Sequence, residues 1–280
     1  MRSSNVFSTF VYVVFVAVVA LPVVARANGD AAAGKAKSLA CEACHFAVPP
    51  TGDMPHLVGQ RQIHLVGQRQ SYLVRQLRAF KAGDRKNPLM SAIATQLSTA
   101  DIDNLAAYWS GRPTGSDATV SEPAASIKKT HLAFPPEFPR GFVMYVASND
   151  AGENTINKSY INEIGFQAAK VNKPLPNGTI VVVVHESPKL GPDKQPILAK
   201  DRSWVSDKVT SYAVMESRAG WGRDIPDLLR NDDWSYGLFT PEKKLRTEVN
   251  QAQCLACHKP QAAVGFVFTF KELQLKAHGQ

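Results

Sequence analysis

The chain reads as a multi-domain protein: an all-helical region followed by a larger α+β region rich in antiparallel sheet. Three observations predict this. Residues 28–112 carry apolar side chains at helical spacing, whereas residues 129–280 carry short β-branched and aromatic runs separated by turn signals. Between them, residues 113–128 are small, polar and proline-bearing with no apolar period, as a linker is. The 280-residue length also exceeds what one small core needs.

The elements follow in chain order. Residues 1–27 combine an early Arg2, an apolar run from Phe10 to Val24 and an Ala25-Arg26-Ala27 site, the pattern of a secretory signal peptide. The alternative is an uncleaved anchor, but the run is shorter than the roughly 20 apolar residues that span a bilayer. Asp30 to Leu39 is an alanine-rich helix. Leu73, Leu77 and Phe80 stripe a second helix from Tyr72 to Lys81. Ser98-Thr99-Ala100-Asp101 is a capping-box pattern opening a helix that faces inward through Ile102, Leu105, Ala106 and Trp109, and Gly111 and Pro113 stop it. In the second region, strands are expected at Phe142–Val146, Thr179–Val184, Val209–Met215, Trp234–Phe239 and Phe266–Phe270, with a helical stretch from Pro241 to Gln253.

All four cysteines fall in two identical patterns, Cys41-Glu42-Ala43-Cys44-His45 and Cys254-Leu255-Ala256-Cys257-His258. C-x-x-C-H is the attachment pattern of a c-type haem. Two thiols that add to the two vinyl groups of one porphyrin must point the same way, and three residues along a helix achieves this. The adjacent histidine can then reach the iron from the proximal side. Two covalent haem c groups are therefore expected, with His45 and His258 as iron ligands. One zinc held by both cysteine pairs is an alternative, but it leaves two histidines at identical offsets unexplained. Disulfides and a thioredoxin-like pair are further alternatives.

A six-coordinate electron-transfer haem needs a distal ligand. Met54 and Met90 are the methionines of the mature first region, and Met90 sits in the proline-bearing segment Lys86-Asn87-Pro88-Leu89-Met90, read as a loop. A thioether there can bind iron, and histidine trans to methionine raises the reduction potential. The alternative is plain core packing.

The formal charge of +8 becomes +6 when Arg2 and Arg26 leave with the signal peptide. A modestly basic surface suits acidic redox partners or an anionic membrane. The basic residues are scattered, which argues against nucleic acid. His56–Ile63 and His64–Ser71 form an eight-residue tandem duplication, read as a tolerated loop extension with no assigned role.

The first region resembles class I cytochrome c, specifically a half-domain of the dihaem periplasmic cytochromes. The resemblance is carried by Cys41–His45, Pro55-His56-Leu57-Val58-Gly59-Gln60, Tyr72-Leu73, Gln76-Leu77, Phe80, Gly83, Met90, Ile93-Ala94, Leu97-Ser98, Asp101-Ile102 and Leu105-Ala106-Ala107-Tyr108. It implies Met90 as the distal ligand. The second region resembles cytochrome P-460 and cytochrome c′-beta. Here the matching residues are Leu175 to Val182, Met215-Glu216-Ser217, Asn231 to Phe239, and Cys254 to Lys259 followed by Phe266-Val267-Phe268-Thr269.

That second resemblance implies an open distal side with a carboxylate, matched by Glu216, acting as a general acid or base on a nitrogen substrate. A surface salt bridge is the alternative for Glu216. The family's lysine cross-link to the haem finds no counterpart, because Gly178 to Ser187 contains no lysine; His185 stands nearest that place. His185 can be a strand-end surface residue, a distal-pocket residue or a sixth iron ligand. Cytochrome c′-beta, without the cross-link, is the nearer analogue.

The expected protein is thus a periplasmic dihaem cytochrome. One haem, His/Met-ligated, exchanges electrons with a partner cytochrome or membrane oxidase. The other meets hydroxylamine or nitric oxide, as an oxidoreductase or a gas-binding module. A plain electron carrier with two six-coordinate haems is the competing reading. The resemblance also implies that the second region can form a homodimer.

Overall fold

The computed structural model describes residues 29–45, 69–112 and 122–280. The signal peptide, Met54, the tandem duplication up to Gln68 and residues 113–121 lie outside the described residues. In chain order the elements are α1 (Ala31–His45), α2 (Gln70–Ala82), α3 (Pro88–Ala94), α4 (Thr99–Ser110), α5 (Glu122–Ile127), β1 (Phe142–Asp150), β2 (Thr155–Asn162), α6 (Glu163–Lys170), β3 (Ile180–Pro188), β4 (Ser206–Ser217), β5 (Trp234–Phe239), α7 (Gln251–His258), a 3-10 turn (Lys259–Val264) and α8 (Phe270–Ala277).

The first region is helical, as its periodicity predicts. The α4 helix begins in a complete capping box, Ser98 accepting from Asp101 N and Asp101 accepting from Ser98 N. Its stripe of Ile102, Leu105, Ala106 and Trp109 is buried. The crossing of α1 over α4 depends on Gly34, where a Cβ would stand 2.1 Å from the Asn104 carbonyl oxygen. Only a glycine lets the two backbones approach that closely.

The second region is a five-stranded sheet in the order β1-β2-β3-β4-β5, with every neighbouring pair antiparallel. The central strand β3 is apolar on both faces because both are covered. Val181 joins the cluster shared with the helices, while Val182 and Val184 join the opposite cluster with Leu132, Phe138, Tyr212, Val214 and Phe239. Phe134 packs edge-on against Phe138, Tyr212 and Phe239 in that second cluster.

Several expectations need correction. Residues 122–127, inside the 113–128 segment read as linker, form α5, and Ala124 and Ile127 are fully buried. Phe266–Phe270 is not a strand: Gly265 and Phe266 both take positive φ, 65° and 63°, a turn geometry that ends the 3-10 segment. The helix expected from Pro241 begins only at Gln251, because residues 240–245 turn back, with Lys243 at φ 63° and Phe239 bridging Leu245. Strand β2 escaped the sequence reading because Asn157 and Lys158 interrupt its apolar pattern; Lys158 lies on the sheet and pairs with Glu186 at 2.6 Å.

The helical region and the sheet share one core. A single apolar cluster runs from Ala43, Leu73, Leu105 and Trp109 to Val181, Met215, Tyr236, Leu255, Phe266 and Leu273. The two parts separated in sequence are thus packed against each other through α1, α3 and α7.

Candidate haem sites

Helix α1 runs through the first motif and ends at His45. Cys41 and Cys44 therefore lie one turn apart on the same helix. Burial pushes the Cys41 thiol up to about 12, with the neighbouring Cys44 and Glu42 adding to the rise. Burial likewise raises Cys44, to about 11. Both side chains are half-buried. Glu42, between them in sequence, is itself buried and accepts from Ser38 Oγ at 3.1 Å, Tyr108 Oη at 2.9 Å and Arg112 at 3.1 Å.

Met90 is in the first turn of α3, not in a loop. Asn87 caps that helix by accepting from Met90 N at 2.9 Å, and Pro88 follows at the first helical position. An Asn-Pro start is a helix signal as much as a loop signal. The helix packs against α2 and α7.

The second motif occupies α7. Its start is capped by Asn250, whose Oδ1 accepts from Ala252 N at 3.0 Å. Cys254 is partly covered and Cys257 exposed. His258 Nδ1 stands 2.7 Å from the Phe266 carbonyl oxygen. A carbonyl only accepts, so Nδ1 carries the proton and Nε2 keeps a free lone pair. Burial holds the His258 pKa below its ordinary value, partly offset by the Phe266 carbonyl. A neutral imidazole with Nδ1 oriented by a backbone carbonyl is the arrangement of a metal-binding histidine. The His258 ring packs against Tyr236 (centroids 4.6 Å apart) and Phe268 (4.8 Å), and Phe268 is 54% exposed. An exposed phenyl ring and an exposed thiol beside that imidazole form an uncovered apolar edge. The residues present thus fit a covalently held haem at Cys254, Cys257 and His258.

Asn231 supports α7 from the side, donating from Nδ2 to Leu255 O at 2.9 Å and to Tyr236 Oη at 3.0 Å. The sequence reading gave Asn231, Tyr236, Phe266 and Asn250 no role, although the first three lie in segments that carry the second resemblance. Asn250 carried its own signal, a capping residue immediately before the motif helix.

The two distal candidates lie on the sheet, His185 on β3 and Glu216 on β4. Glu216 is buried on β4 and bound by Arg218 at 2.6 Å. It alternates with Met215, whose cross-strand partner is Tyr236, so Glu216 projects from the sheet face opposite the ring that touches His258. His185, on β3, faces Asn157 Oδ1 at 2.8 Å, and burial lowers its pKa. The structure does not bring Glu216 and His185 together: they lie on different strands and on opposite sheet faces.

Among the described residues, no three His, Cys, Asp or Glu side chains gather as a metal-holding group of their own. No described helix is long and apolar enough to cross a membrane.

Residues 135–269 match the Cytochrome P460 family model. The match covers the sheet and the second C-x-x-C-H motif. Over 144 residues the chain is 29% identical to the thiosulfate dehydrogenase electron acceptor of Thiomonas intermedia (strain K12), an alignment spanning 50% of this chain and 63% of that protein. It is 37% identical over 90 residues to cytochrome c4 of Pseudomonas aeruginosa, spanning 31% of this chain and 41% of that protein. The chain covers less than two thirds of either relative. Together the family model and these relatives support a haem c electron-transfer protein.

Proposed function

We propose that the chain is an exported, periplasmic dihaem cytochrome whose two iron centres do different work. In this reading Cys41, Cys44, His45 and Met90 hold an electron-transfer haem. Cys254, Cys257 and His258 hold a second haem with an open distal side that meets a small nitrogen species, hydroxylamine or nitric oxide. The haem, when bound, supplies reversible one-electron chemistry and a place for a diatomic or amine ligand.

The observation that carries the reading is the setting of His258. Phe266 fixes the tautomer, Tyr236 and Phe268 fix the ring plane, and Nε2 is left to bind iron. The first motif lies on a different scaffold, the helical region, in which Met90 on α3 is the distal candidate. Electrons pass to or from a partner cytochrome or a membrane oxidase; a relative named as an electron acceptor supports that role. Turnover of the nitrogen species would make the chain an oxidoreductase, and binding alone would make it a gas-binding module. The position of Glu216, opposite the Tyr236 face, favours binding over acid-base turnover at that residue.

Intact mass spectrometry joined to reduced optical spectra tests this. Two haem additions per chain and one carbon monoxide bound per chain are expected. No carbon monoxide bound in the reduced state overturns the open second site and leaves a plain electron carrier.

A further inference from the structure

Asn250 is almost fully buried and uses both ends of its carboxamide. The Oδ1 end caps the start of α7 at Ala252 N. The Nδ2 end donates to the Ala43 carbonyl at 2.7 Å, across 207 residues of sequence. Ala43, fully buried, is the residue between Glu42 and Cys44 in the first motif, on α1. Removing a donor from a buried carbonyl is costly. One side chain thus bridges the first motif helix and the beginning of the second.

The surroundings make the joint stiff. Gln251, buried beside Asn250, donates from Nε2 to Lys129 O at 2.9 Å and accepts at Oε1 from Tyr236 N at 2.9 Å. Its own amide donates to Lys128 O at 3.0 Å. The start of α7 is therefore tied to β5, to the chain leaving α5, and through Asn250 to α1.

We infer that Asn250 is a positioning residue that locks the two C-x-x-C-H helices into one body, holding the two attachment sites side by side. The functional consequence rests on the two-haem reading above: with the sites locked together, the charge state at one centre shifts the reduction potential of the other. Aspartate at 250 keeps an acceptor for Ala252 N but has no donor for Ala43, and serine keeps capping ability without a charge.

The test uses the full holoprotein and the variants Asn250→Asp and Asn250→Ser, compared by hydrogen exchange. Exchange across residues 41–45 is expected to quicken by about tenfold in both variants, while residues 254–258 stay within about twofold of wild type. A residue that only capped α7 would not move α1. Unchanged exchange at 41–45 in both variants overturns the lock. In protein shown by mass to carry two haems, the same variants should shrink the shift that oxidation of one centre causes in the other's potential; an undiminished shift overturns the functional consequence. One haem per chain would overturn the proposed function, and the exchange result would still decide the lock.

Discussion

The carbonyl of Phe266 accepts a hydrogen bond from His258 Nδ1 across 2.7 Å, eight residues downstream of the imidazole it orients. Phe266 achieves this from a left-handed backbone, φ 63°, that a phenylalanine seldom adopts. The reason it is held there is its ring, which is 4% exposed in the shared core.

That relationship predicts the outcome of Phe266→Gly. Glycine relieves about 1–2 kcal/mol of left-handed strain, but losing a buried phenyl ring costs about 3–5 kcal/mol. Packing wins, and the variant should be less stable by about 2–3 kcal/mol in denaturant unfolding. A variant as stable as wild type would show that the ring contributes nothing to the placement of His258.

Met90→Ala should lower the reduction potential of the first centre and let carbon monoxide bind there, because a thioether trans to histidine raises the potential. Asn87→Ala should act on the same ligand more gently. It removes the cap that holds Met90 N, at a cost of about 1 kcal/mol in stability. Spectroelectrochemistry and carbon monoxide titration of the two variants check both effects. An unchanged potential in Met90→Ala would show that Met90 only packs.

Glu42 is a buried carboxylate facing Arg112, whose side chain is 19% exposed. Arg112→Ala removes a cationic partner from that carboxylate and should destabilise the helical region by about 2–3 kcal/mol, discounted from a fully buried pair because Arg112 reaches water. Glu42→Gln should cost less, since the guanidinium can be solvated and Ser38 and Tyr108 still have a side chain to meet. Equilibrium unfolding followed in the helical region gives the order of the two values, and the reverse order would contradict the account.

Acid should weaken the α4 start. Burial alone would raise the Asp101 pKa, but hydrogen bonds from Lys37 and from the Ser98 backbone and hydroxyl outweigh it and hold the carboxyl below its ordinary value. A lowered folded-state pKa means that the contribution is complete above the unfolded value of about 4 and disappears as the pH falls through the lower folded value. Asp101→Asn should therefore reduce stability at neutral pH and flatten the loss seen below about pH 4. Thermal unfolding across that range measures it; parallel wild-type and variant curves would reject the assignment.

The legible parts of this protein were those where chemistry is local. Both C-x-x-C-H motifs, the capping box at Ser98 and Asp101, the stripe on α4 and the run Trp234–Phe239 can be read from neighbours along the chain, because caps, helical faces and strand runs are set within a few residues. Met90 was picked by type and expected in a loop but stands on α3, since Asn87-Pro88 opens a turn or a helix equally well. Phe266–Phe270 misled because β-rich composition says nothing of the two positive φ values that turn it.

Sequence by itself singled out the two C-x-x-C-H motifs and showed that they stand in unlike surroundings. Tertiary structure alone decided that those motifs meet. Asn250 reaches Ala43 only because α1 and α7 pack in one core, and no local pattern encodes a contact across 207 residues. It also decided which way Glu216 faces, since strand register assigns a side chain to one face and a one-residue slip would reverse it.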